Sequence, residues 1–181
     1  MQRSRTGEDK EIRAWVRHDV YLGLASGAKG VFIWSLFKRK EVKRTWQLWY
    51  DAYAECAREL NGDRALAQIF LFGERKANLK IVQTKGGATT GVTLGGGAEP
   101  ETTTAAERAQ REIKMPSWTA AEFVQGSSRW LFLINSANTA ATFNITGGPT
   151  GARVVNAFDG ATINLTEPVE LPAYGVLAVR Y

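Results

Sequence analysis

The chain has 181 residues and a mass of 19.9 kDa, enough for one ordinary core or two small units. Its 44% hydrophobic and 23% charged residues are the proportions of a globular protein. No run approaches the ~20 apolar residues of a membrane-spanning helix, and the polar start MQRSRTGEDK is no signal peptide, so no membrane partner is expected and the location stays unassigned.

Most of the formal charge of +5 sits in the first third: residues 1–64 hold thirteen Lys or Arg against nine Asp or Glu, and 116–181 hold three against four. Lys38, Arg39, Lys40, Lys43 and Arg44 read as a solvated rim rather than a polyanion contact, and no nucleic-acid partner is expected. Cys56 falls on a helical stripe and reads as a buried thiol. With one cysteine and one histidine a zinc cluster is not expected, nor is any other metal or cofactor.

From Glu8 to Ser26 the residues Ile12, Trp15, Val16, Val20 and Leu24 recur three or four apart, the period of an amphipathic helix. Gly27 and Gly30 flank a tight connection, and VFIWSLF, residues 31 to 37, then reads as a short strand covered on both faces. Val42, Trp46, Trp49, Tyr53, Cys56 and Leu60 trace a second helix that stops at Asn61 and Gly62. Helix, buried strand, helix is an α/β pattern, but one parallel strand cannot pair alone, and no second βα unit is visible in residues 1–64.

Residues 65–83 read as a bridging segment, a helical turn in ALAQIFLFG followed by the first strands of a β domain, with Asn78 to Gln83 as a strand. Residues 84–117 are rich in Gly and Thr and read as a loop, with a short helix over Thr103 to Ile113 suggested by the capping box of Thr104 and Glu107. After Pro116 strands are expected at Thr119–Val124, Trp130–Asn135, Ala140–Thr146, Arg153–Phe158, Ala161–Leu165 and Tyr174–Tyr181. AFDGATINL is the clearest hairpin, turning at Asp159-Gly160. These strands predict an antiparallel β-sandwich over 118–181, with a core drawn from Phe132, Ile134, Phe143, Ile145, Val155, Ile163, Leu165, Val176 and Leu177.

Glycosidic hydrolysis usually needs two carboxyl groups, roughly 5 to 5.5 Å apart for retention and 6.5 to 9.5 Å for inversion. Glu11, Asp19, Glu41, Asp51, Glu55 and Glu59 all belong to helices or their edges, and none falls at the C-terminal end of the buried strand. The end of that strand holds Trp34 and Ser35, where α/β enzymes place their chemistry. Trp34 either packs a barrel mouth or offers a platform to a sugar. Ser35 has no histidine nearby, and His18 and Asp19, adjacent on a helix, are expected to diverge into local structural bonds rather than serve a triad. GGATTGVTLGGG lacks the Lys-Ser or Lys-Thr end of a phosphate loop and reads as a connector. Asn144-Ile-Thr and Asn164-Leu-Thr fit the glycan acceptor pattern.

GAKGVFIWSLF followed by TWQLWYDAYAECAREL resembles the eighth and last βα unit of the (β/α)8 barrel in clan A-type glycoside hydrolases, and EIRAWVRHDVYLGLASGA resembles the helix before it. WLFLINSANTAATFNITG, VVNAFDG and VELPAYGVLAVRY, with Leu171-Pro172 before the last strand, resemble the small β-sandwich that follows such barrels. The resemblance implies an α+β chain, a barrel fragment over 1–64 plus a C-terminal antiparallel sandwich, forming the tail of a retaining glycoside hydrolase. It gives Trp34, with Ser35, a place on the cleft wall against a carbohydrate substrate. The family's two carboxylates, at the ends of strands four and seven, have no counterpart here, so enzymatic activity of this chain alone is not expected. Two other roles remain open: a carbohydrate-binding accessory module acting through Trp118, Trp130 or Tyr174, with Trp118 the better exposed secondary sugar contact, and self-association through the unpaired strand.

Overall fold

The computed structural model describes residues 9–33, 43–86, 90–93, 104, 112–148 and 153–181. A 3-10 turn at Asp9–Glu11 leads into α1 (Ile12–Ala25), followed by α2 (Lys43–Asn61) and α3 (Leu66–Phe72). Eleven described strands follow: β1 (Glu74–Lys76), β2 (Lys80–Gly86), β3 (Thr90–Thr93), β4 (Glu112–Met115), β5 (Trp118–Gln125), β6 (Ser128–Asn135), β7 (Ala141–Thr146), β8 (Arg153–Asn156), β9 (Thr162–Asn164), β10 (Val169–Leu171) and β11 (Val176–Arg180). The architecture is α+β, and every pairing is antiparallel.

A six-stranded sheet, ordered β1-β5-β6-β11-β8-β9, lies between a three-stranded sheet, β10-β7-β2, and the helices. Side-chain alternation divides its central strands between the two faces. In β6 Leu131 and Leu133 point into the sandwich, whereas Trp130, Phe132 and Ile134 point to the helices. In β11 Leu177 and Val179 take the first side, Val176 and Ala178 the second. Phe132, Ile134 and Val176 therefore belong to the helix-facing core rather than to the sandwich core expected for them, and Val155 is 40% exposed. The uninterrupted apolar run LFLI of β6 has the same cause: both faces are covered, which in antiparallel sheets is less common than one.

Over the described residues the helix stripes were read correctly, and Ile12, Val16, Val20, Leu24, Trp49 and Cys56 are buried; Val42 lies outside the described residues. Tyr21 is fully buried as well, stacked 6.1 Å from Phe132 and edge-on to Phe158 at 5.2 Å. No sheet among the described residues closes into a barrel. Two expectations need correction. Val31–Ile33, the start of the stretch expected as a strand covered on both faces, are exposed and outside any strand. Residues 34–37 of that expected strand lie outside the described residues, as do Lys38, Arg39 and Lys40 of the basic rim. Inside the stretch expected as a loop, Thr90–Thr93 pairs with Glu112–Met115, so the end of the expected helix over Thr103 to Ile113 is strand; its earlier residues, Thr104 apart, lie outside the described ones.

The β8–β9 hairpin turns where Asp159-Gly160 predicted, with Gly160 at φ +76. Its loop is longer than two residues: Asn156 Oδ1 accepts the Phe158 N–H at 3.0 Å and Asp159 Oδ1 the Ala161 N–H at 2.9 Å. In β2 the register shifts between Gln83 and Lys85, and a Cβ on Gly86 would stand 2.0 Å from the Ala140 carbonyl oxygen, so glycine is required there.

One buried carboxylate ties the sheets together. Glu122 of β5, 4% exposed, accepts the Asn78 N–H at 2.7 Å, the Leu79 N–H at 3.3 Å and the Tyr181 hydroxyl at 2.9 Å. Burial pushes its pKa up, but the bonds from Asn78, Tyr181 and Leu79 outweigh this and hold it below the ordinary 4.5. A depressed folded-state pKa contributes stability above the unfolded value, lost as pH falls through the folded one. Glu122→Ala is therefore expected to cost about 3 kcal/mol at neutral pH, by leaving three donors unpaired. Glu122→Gln should flatten the acid limb of stability below about pH 4.5, read from denaturant midpoints against pH.

Candidate functional site

Trp34 and Ser35, the residues expected on a cleft wall, lie outside the described residues. The segment leading to them is described. Val31, Phe32 and Ile33 are 45%, 82% and 39% exposed, and Val31 and Ile33 line an apolar cleft of about 230 Å³. Its walls are Val20 and Leu24 of α1, Tyr53, Cys56 and Leu60 of α2, and Phe70 and Leu71 of α3. Lys29 fixes the segment's start by donating from Nζ to the Phe70 carbonyl at 2.6 Å. Burial, with the Glu59 charge, pushes the Cys56 thiol up to about 12, so this cleft holds no nucleophilic thiolate at neutral pH.

The second polar centre joins α1 to α2. Glu59, 3% exposed, binds Arg17 and accepts the Tyr21 hydroxyl at 3.0 Å. Arg17 also reaches Glu55 at 2.8 Å, and its guanidinium lies 4.6 Å from the centroid of Phe158 in the β8–β9 loop. Burial would lower the Arg17 pKa, but Glu59 and Glu55 raise it; burial and Glu59 raise that of Tyr21. The centre is a fixed ion pair; it borders an open groove with Arg13, Arg58 and Arg64, and Glu59 lies 3.8 Å from the Arg64 guanidinium as well. Glu59 and Glu122 are the buried carboxylates among the described residues, and both are committed to such bonds.

His18 and Asp19 do not diverge as expected. His18 Nδ1 lies 2.9 Å from Asp19 Oδ1, and Nε2 lies 2.9 Å from Ser136 Oγ, just beyond β6. A carboxylate only accepts, so Nδ1 carries the hydrogen, and Nε2 of a neutral ring then accepts from the serine. The order matches that of a Ser-His-Asp triad, but the two backbone amides nearest the serine, the usual source of oxyanion donors, are already spent. The Ser136 N–H is bonded to the Ser117 carbonyl at 2.8 Å and the Ala137 N–H to Asn135 Oδ1 at 3.0 Å. Tyr174, at φ +56, packs edge-on against His18 at 5.6 Å and Trp15 at 6.5 Å. The group is a tether of α1 to the sandwich, made by residues 118 apart and so invisible to spacing.

The aromatic candidates of the β domain are also placed. Trp118 is half-buried, packed against the sandwich core and 5.7 Å edge-on to Phe143. Tyr174 is held in the tether. Trp130 is half-buried on the helix-facing side and borders an open groove of about 450 Å³. Among the described residues no group of three or more His, Cys, Asp or Glu could hold a metal ion.

No protein-family model matches the chain, and no curated protein matches it. Two solved structures are similar to part of it. A β-galactosidase from Bacillus circulans sp. alkalophilus is 26% identical over 36% of this chain and 9% of its own, with a TM-score of 0.30. A catalytic mutant of a GH42 β-galactosidase from G. stearothermophilus is 15% identical over the same shares, with a TM-score of 0.29. The chain thus spans about a tenth of the length of these structures.

Ser136→Ala is expected to lower stability by about 1 kcal/mol through the lost tether and to leave p-nitrophenyl acetate hydrolysis at the buffer rate. A hydrolytic burst abolished by that substitution would show catalysis instead.

Proposed function

We propose that the chain is the C-terminal portion of a glycoside hydrolase-like protein: the last helix, strand and helix of its barrel, with an accessory β-sandwich. Residues 1–64 supply the terminal βα portion and 118–181 most of the sandwich. The supporting observation is the exposure of Val31, Phe32 and Ile33 beside an apolar cleft between α1, α2 and α3. Three consecutive bulky apolar residues facing water are a docking surface rather than a finished one. Neighbouring parallel strands of a barrel would cover them. In that setting Trp34 and Ser35 stand at the strand's C-terminal end, on the wall of a cleft for a carbohydrate substrate.

The same reading assigns no catalytic carboxylate to this chain. Purified chain should therefore release no aryl group from p-nitrophenyl β-galactoside or related glycosides; turnover abolished by changing one of its own carboxylates would overturn the reading. Left alone, the exposed segment should recruit a second copy. Sedimentation and dye-binding measurements should show concentration-dependent association that Phe32→Ser reduces, without a change in melting temperature. A strict monomer that binds no hydrophobic dye would count against the docking surface. Reading the coding frame upstream of Met1 tests the origin directly, since further βα units and two strand-end carboxylates are expected there.

A further inference from the structure

The six-stranded sheet is wider than the helix layer. The helices pack mainly over β5, β6 and β11, so the helix-facing side of β8 and β9 extends past them. Cross-strand register places Trp130, Arg180, Val155 and Thr162 in one row on that side. Trp130, Arg180 and Val155 of this row floor the groove of about 450 Å³; the α2–α3 connection, with Asp63 and Arg64, forms one wall, and the end of β8 with the β8–β9 loop, carrying Asn156 and Asp159, the other.

The groove's chemistry is specific in three respects. An indole borders the floor, and the Arg180 guanidinium carbon lies over it at 5.9 Å from the ring centroid, at the outer limit of cation–π contact, so the two side chains together make the floor against which a ring can pack. Arg64 and Arg180 face Asp63 and Asp159 in the lining, and Arg64 is also 3.8 Å from Glu59, so the groove has no excess of positive charge to select an anion. Polar capacity is left over. Among the described residues Asp63 and the Arg180 guanidinium have no ion pair. Asn156 and Asp159 each spend one side-chain oxygen on the loop, which leaves an amide NH2 and a carboxylate oxygen for a ligand.

We propose that this groove is a binding site for a neutral saccharide, with Trp130 stacking against a sugar ring and Arg180, Asn156, Asp63 and Asp159 bonding its hydroxyls. An apolar platform ringed by planar donors and acceptors of balanced charge matches a ligand that presents C–H faces and neutral hydroxyls together. The site is built from the α2–α3 connection and the sandwich alone. It is therefore separate from the barrel-docking cleft and does not rest on the barrel reading.

The test uses the full chain against an array of neutral oligosaccharides, followed by calorimetric titration of any binder and of glucuronate. Trp130 also packs against the core, so the variants are Arg180→Ala and Val155→Trp, the latter filling the groove from an exposed position. Saturable binding of a neutral sugar by the native chain, weakened about tenfold or more in both variants at unchanged melting temperature, is expected. No saturable binding across the array, binding indifferent to both substitutions, or a preference for glucuronate over every neutral sugar would each overturn the proposal.

Discussion

The architecture depends on β6 carrying apolar side chains on both of its faces. Leu131 and Leu133 commit one face to the three-stranded sheet, and Phe132 and Ile134 require a cover on the other. Each fully buried side chain of this size is worth roughly 1.5–3 kcal/mol. A bare sandwich would leave the second set in water. The helix layer supplies that cover through Val16, Tyr21, Ile69 and Phe70, so helices and sandwich share one core.

Polar groups then set the register of these layers. Arg17 and Tyr21 converge on Glu59, His18 meets Ser136, and Glu122 joins β5 to the chain near Asn78 and to Tyr181. Asn135, fully buried at the end of β6, donates to the Thr139 and Pro172 carbonyls at 2.8 Å and accepts the Ala137 N–H. These are directional contacts, and breaking any one strands a buried partner. Apolar packing alone would tolerate sliding between α1 and the sheet.

Local signals in the sequence carried much of this. The 3.6-residue stripes located α1 and α2, and the Asp159-Gly160 turn located a hairpin, because in both cases the cause is within a few residues of the effect. Face assignment was not legible in the same way. WLFLI alternates between two apolar environments, so nothing in its composition says that Phe132 looks at a helix and Leu133 at a sheet. Val31 to Ile33 has the composition of a covered strand yet stands in water, because strand formation depends on a neighbour that no local pattern encodes. Of the site residues, Trp130 was visible as an aromatic, but its groove is made by the α2–α3 connection and a hairpin almost a hundred residues away from it. The His18–Asp19 pair was misjudged because adjacency on a helix describes where side chains leave the backbone and not where their rotamers meet.

Cys56 sits at the meeting point of the helix layer and the apolar cleft, 3% exposed, with a thiol held protonated at neutral pH. Labelling by an alkylating reagent is therefore slow and reports the parting of the cleft walls; with a single cysteine in the chain, that signal has one address.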